Sequence, residues 1–101
     1  MLRRVVLWRL KAQEAEQKAL DAGTIKRALE SMRGKIPGML NLQVGINEIP
    51  SKDAADVVMI VDFESVDALA VYETHPVHEQ VKPMVGPLRE ERRVVEYHIP
   101  G

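Results

Sequence analysis

Apolar and polar positions along this chain switch between a period of two and a period near three and a half, and the switches mark its elements. Arg4 to Leu10 (Arg-Val-Val-Leu-Trp-Arg-Leu) is dense in β-favouring side chains and predicts a first strand. Val6, Trp8 and Leu10 fall on one side of it, Val5 and Leu7 on the other. From about Gln13 to Arg33 the period lengthens. Ala22, Ile25, Leu29 and Met32 recur at three- and four-residue steps, leaving Lys18, Lys26, Arg27 and Glu30 for the wet side of a helix. Gly23 weakens that helix by about 1 kcal/mol relative to alanine, and Ile36-Pro37-Gly38 stops it. Leu40, Leu42, Val44 and Ile46 then alternate with Asn41, Gln43, Gly45 and Asn47, which predicts a second strand with one apolar face. After a loop at Pro50 to Asp53, Asp56 to Phe63 reads as a third strand. It is apolar on both sides, with Val57, Met59 and Val61 set against Val58, Ile60 and Phe63.

Ser65 stands where a helix N-cap belongs, with Asp67 in the first turn to complement the dipole. Val66, Leu69 and Ala70 are the expected inner face of that helix. The residue before a proline avoids the α region, so the helix breaks at His75 and restarts with Pro76 at its first position. Pro83, Gly86 and Pro87 end the second piece, and Arg92 to Ile99 is the last strand. This order is α+β, a ferredoxin-like βαββαβ plait in which a four-stranded antiparallel sheet carries its helices on one face. It accounts for residues 1–101 as one domain. Strands apolar on both faces leave a second face bare, more than a monomer tolerates. The chain is therefore expected to pair sheet to sheet as a homodimer.

Composition excludes several functions. The formal net charge of −1 gives no field to draw nucleic acid or anionic lipid. The basic groups Arg3, Arg4, Arg9, Lys11 and Arg89, Arg92, Arg93 read as solvated edges. Cysteine is absent, which removes disulfides, a thiol nucleophile and thiolate metal sites. No apolar run approaches the roughly 20 residues of a membrane span. Arg3-Arg4 lead into a strand rather than a signal-peptide core. A cytoplasmic protein with neither nucleic acid nor membrane as partner is expected.

Candidate chemistry concentrates in Tyr72-Glu73-Thr74-His75-Pro76-Val77-His78, which holds two of the three histidines and one of the two tyrosines. Tyr and His pass protons near neutral pH without a metal or cofactor. A neutral His78 is the candidate base and Tyr72 the candidate donor to a substrate oxygen. Six residues of unbroken helix would put them on different faces, and the break at Thr74-His75 lets both turn into one cavity. The plainer readings are an N-cap role for His75, a hydrogen-bonded structural histidine at His78 and a core aromatic at Tyr72. His75, His78 and Glu79 fall short of a metal coordination set, so neither metal nor cofactor is expected. Trp8 is either core or pocket wall, and His98 is placed at an exposed strand end.

Several of these segments, taken in order, resemble the stress-responsive dimeric α/β-barrel (Dabb) family. The resemblance runs over essentially the whole chain. It is carried by Arg4-Val5-Val6-Leu7-Trp8-Arg9-Leu10-Lys11, by Ile36-Pro37-Gly38 leading into Val44-Gly45-Ile46-Asn47, and by Phe63-Glu64-Ser65-Val66. The Tyr72 to His78 stretch and Glu91-Arg92-Arg93-Val94-Val95-Glu96-Tyr97 complete it. The resemblance implies a plait that pairs into a dimeric α/β barrel. Most bacterial members are described only as stress-responsive. One plant branch is a cofactor-free polyketide cyclase, whose catalytic Tyr and second His match Tyr72 and His78.

This chain departs from that branch in the pocket lining. Cyclase members place aromatics on the first helix and before the last strand, where this chain has Ile25, Lys26, Leu29, Leu88 and Arg89. A histidine common at the start of the first strand is replaced by Arg4. With one Trp, two Tyr and one Phe in the chain, a smaller or more polar ligand fits better than a long polyketide. Arg4 and Arg89 are expected at the surface, and either would hold a carboxylate if turned inward. Arg4, Trp8 and His75 are the candidate ligand contacts, with Tyr72 and His78 the candidate catalytic pair. Three functions fit: a barrel that binds a small organic molecule, a cofactor-free cyclase, isomerase or lyase, and a structural dimer without a ligand.

Overall fold

In a computed structural model, which describes residues 1–100, the chain runs β1 (Leu2–Leu10), α1 (Ala15–Glu30), β2 (Met39–Ile46), β3 (Val57–Phe63), α2 (Val66–Thr74), α3 (Pro76–Val85) and β4 (Arg89–His98). A 3-10 turn at Gly86–Leu88 leads into β4. The strands form one antiparallel sheet in the order β2-β3-β1-β4, which is the ferredoxin-like plait. Alternation in β1 buries Leu2, Arg4, Val6, Trp8 and Leu10 on the helix side. On α1, Ala22, Ile25, Ala28 and Leu29 form the buried stripe. Glu14 caps its start by accepting from the Glu16 N–H, and Ser65 caps α2 by accepting from Ala68. The break falls at His75, whose extended backbone (φ −66°, ψ 136°) separates α2 from α3.

Several expectations need correcting. Strand β3 runs without interruption from Val57 to Phe63 in register with β1, so alternation carries Phe63 to the inner side beside Val57, Met59 and Val61. The outward partner is Asp62. It is fully buried between Arg3, which donates to it at 2.8 and 3.1 Å, and Asn41 at 3.1 Å. These bonds, led by that from Arg3, hold the Asp62 carboxyl below the usual range. In β2 a bulge at Asn41 (φ 48°) shifts the register between Leu40 and Gln43. Leu40 therefore pairs with Asp62 on the outer face, and Met39, Leu42 and Val44 are the buried residues of that strand.

The inner side of α2 is made by Ala68, Leu69 and Tyr72, while Val66 and Ala70 are exposed. The helix is set by the buried Tyr72 ring against Phe63 (centroids 5.0 Å apart), and positions three and four residues before it follow that ring inward. Pro83 lies inside α3 rather than ending it. It forfeits one backbone hydrogen bond, but Val81 and Val85 on either side bury against the core and carry the helix through. Strand β4 begins at Arg89, where a register shift beside Leu10 admits three more residues than expected. Gly38 has φ +78°, and a Cβ there would lie 2.7 Å from the Ala68 Cβ, so α2 packs on β2 only over a glycine.

Helices cover the sheet unevenly. α1 packs on β1, β2 and β3, and α2 on β2 and β3. Pairing places Arg92, Val94, Glu96 and His98 of β4 on the same inner side as Trp8, Val6, Arg4 and Leu2, yet all four are exposed. An open groove therefore runs along the β1–β4 side.

Candidate functional site

A cavity of about 550 Å³ lies in that groove, beneath α3. Its apolar floor is buried: Val6 and Trp8 from β1, Met59 from β3, Leu29 from α1, and Val81 and Val85 from α3. Tyr72, His78 and Arg4 supply its polar wall, and the exposed Glu73, Lys82, Arg89 and Arg92 stand at its rim. This mix of apolar lining and a few convergent polar groups is what small-molecule sites share.

The helix break brings Tyr72 and His78 together. Their rings stack with centroids 4.0 Å apart and planes 20° from parallel. His78 Nδ1 lies 3.1 Å from the main-chain oxygen of Tyr72. A carbonyl oxygen only accepts, so Nδ1 carries the proton, and in the neutral ring Nε2 keeps its lone pair. Burial, then the nearby Lys82 charge, pushes the His78 pKa below its ordinary value, which keeps the ring neutral at pH 7. Burial also raises the Tyr72 pKa, while the Arg4 charge opposes it. That hydroxyl therefore stays protonated and able to donate.

His75 behaves in the opposite way. Its Nδ1 accepts from the Val77 N–H at 3.1 Å and caps α3. The structure does not bring His75 to the cavity wall, because that backbone bond turns its ring along the helix start. Trp8 is both core and pocket wall, at 4% exposure. His98 is exposed on the last strand.

Arg4 corrects a surface expectation. It is 7% exposed, points inward with the alternation of β1, and its guanidinium carbon lies 5.6 Å from the Tyr72 ring centroid. Its Nη1 meets Glu96 at 3.4 Å and Glu73 at 3.7 Å. Arg89 is at the cavity rim. Arg92 and Lys82 were missed from sequence, Arg92 because a basic run at a strand start reads as a wet edge. The signal that finds it is cross-strand pairing, which sets Arg92 opposite Trp8.

The sequence matches the family model of the stress responsive A/B barrel domain over residues 2–99. Among solved structures, a dimeric protein of unknown function with a ferredoxin-like fold from Bacteroides fragilis NCTC 9343 is similar at 25% identity. That match covers 97% of this chain and 95% of that one, with a TM-score of 0.85. A dimeric ferredoxin-like protein of unknown function from Thermobifida fusca YX is 19% identical, over 97% of this chain and 90% of that one, at TM-score 0.82. The hydroxynitrile lyase from Passiflora edulis shares the fold at 19% identity, over 98% and 93% of the two chains, at TM-score 0.72. No protein of curated function matches the sequence.

Proposed function

Because this chain belongs to the stress responsive A/B barrel domain family, we propose that its cavity binds a small organic molecule and presents it to His78. The observation that carries this reading is the cavity itself, with apolar floor, Tyr72 and His78 on one wall. A mapping experiment tests it. Small organic fragments added to labelled protein should shift the indole signal of Trp8, the one tryptophan, and the ring signals of His78. Fragments that move neither group at millimolar concentration would defeat the binding reading and leave a structural dimer.

The lone pair of His78 Nε2 favours a second reading, cofactor-free proton transfer. Nε2 takes a proton from a carbon beside a carbonyl, and the Tyr72 hydroxyl donates to the enolate oxygen that forms. Cyclase, isomerase and lyase reactions can all begin with that step. The Passiflora edulis lyase shows an enzyme on this fold and, at 19% identity, nothing more about this chain. Exchange of the acidic C–H of a 1,3-diketone in deuterated buffer reads the step directly. It should be accelerated by the protein and fall by about 10²-fold or more in His78→Gln. Equal rates with the two proteins would remove catalysis and leave binding.

The homodimer belongs to the same proposal. The outer face carries Val95, Val5 and Ile60 in one cross-strand row and Leu7 and Val58 in the next, with Leu7 39% and Val95 55% exposed. The two similar proteins named as dimeric support pairing, and the exposed apolar rows are the reason to place it on this face. Sedimentation should give twice the chain mass at micromolar concentration, and Leu7→Glu should shift it to the monomer. A stable wild-type monomer would contradict the pairing.

A further inference from the structure

Resting on the reading that the cavity binds a small molecule, we infer that its ligand is an organic acid whose carboxylate docks on the Nε edge of Arg4. Arg4 is nine-tenths buried and lines the cavity. Glu96 and Glu73 come closest to it at Nη1. Its Nε is buried and makes no hydrogen bond among the described residues. A native buried donor of this kind needs a partner. Nε is closed to solvent as the side chain stands, so the carboxylate meets it as the Arg4 guanidinium turns toward the cavity. An acceptor at Nε reaches the adjacent Nη2 as well, which is the two-point geometry that suits a carboxylate.

The surrounding charge agrees. Arg92, Arg89 and Lys82 join Arg4 around the cavity, whose one lining carboxylate among the described residues is Glu73. Lys82 is already engaged by Glu79 at 2.7 Å. Partial burial lowers the pKa of Arg92, and the neighbouring Arg4 and Arg89 charges lower it further, against the opposing pull of Tyr72 and Glu96. Glu73 and Glu96 beside the same guanidinium favour a monoanion and disfavour a phosphate dianion. The floor of Val6, Trp8 and Met59 supplies the apolar bed for the rest of the molecule. An acid held this way has its carbon chain in the same cavity as His78.

Matched pairs of acid and amide test this, followed through the Trp8 indole signal: acetate with acetamide, hexanoate with hexanamide, benzoate with benzamide, plus phenyl phosphate. At least one acid should bind ten-fold or more tightly than its amide. Arg4→Gln should reduce that preference to within two-fold. Arg92→Gln, a change at an exposed residue, should reduce it several-fold and decides the matter if the Arg4 variant fails to fold. Acids and amides binding alike would overturn the inference while leaving the binding reading intact. Phenyl phosphate binding more tightly than benzoate would overturn the choice of carboxylate. No response of either Trp8 or His78 to any probe would overturn the inference and the binding reading together.

Discussion

Two halves of the sheet's inner face use the same strand alternation and reach opposite results. On β3, alternation delivers Met59, Val61 and Phe63 beneath the helices at 2%, 0% and 0% exposure. On β4, it delivers Arg92, Val94, Glu96 and His98 to the same side, and all four are exposed. The difference lies in coverage, because α1 and α2 pack on β1, β2 and β3. β1 sits at the boundary. Its Val6 and Trp8 belong at once to the core and to the cavity floor, and Arg4 is buried there with one edge unpartnered. In this plait the packed core and the candidate site are neighbours on one surface, divided by where α1 and α2 stop.

Substitutions on the two sides should separate these roles. The largest effect is expected from Phe63→Ala, which empties the packed half and costs about 3–5 kcal/mol in chemical denaturation. A loss near that of a surface change would mean the packed half is not the stabilising one. Gly38→Ala should follow at about 2–4 kcal/mol, since a side chain there is strained at positive φ and meets Ala68. Wild-type stability in Gly38→Ala would show that α2 sits farther from β2 than described.

On the open side the changes are smaller. His78 has a lowered pKa, so it makes stability depend on pH in one window. Above its ordinary value of 6.5 the ring is neutral in both the folded and unfolded chain. Below it the unfolded chain binds the proton first, so stability falls as pH drops from 6.5 towards the folded-state pKa and then levels. His78→Gln should flatten that slope, and an unchanged slope would place its origin elsewhere. Asp62 acts in a separate, more acidic window, its contribution being lost as pH falls below 3.8 and through the lower folded-state value. Smallest of all, Arg92→Ala should change stability by no more than about 0.5 kcal/mol, although it weakens binding of the acids. A large loss of stability in that variant would erase the distinction between the two halves.

What was legible from sequence follows the range of the forces involved. The break at His75 was legible because the steric demand of Pro76 acts on its immediate neighbour, and the inner face of β1 because alternation is local. The bulge at Asn41 was not legible, because nothing in Leu40-Asn41-Leu42 says how β2 registers on β3. The outward Asp62 and its bonds to Arg3 and Asn41 depend on that same register. The burial of Arg4 is hidden in the sequence for a related reason. Whether a strand arginine is buried depends on which helix or strand lies opposite. The motif from Tyr72 to His78 shows the same limit within seven residues. The N-cap role of His75, whose Nδ1 accepts from Val77, was legible from its place before Pro76, but only the fold shows the Nδ1 of His78 donating to the Tyr72 carbonyl.

Nitrogen-detected NMR of the imidazole rings measures that difference between the two histidines directly. In neutral solution His78 should be uncharged, with the proton on Nδ1 and Nε2 unprotonated, and its Nε2 signal should move when an acid enters the cavity. A proton on Nε2, or a ring still charged at pH 7, would contradict the assignment of His78 as the base.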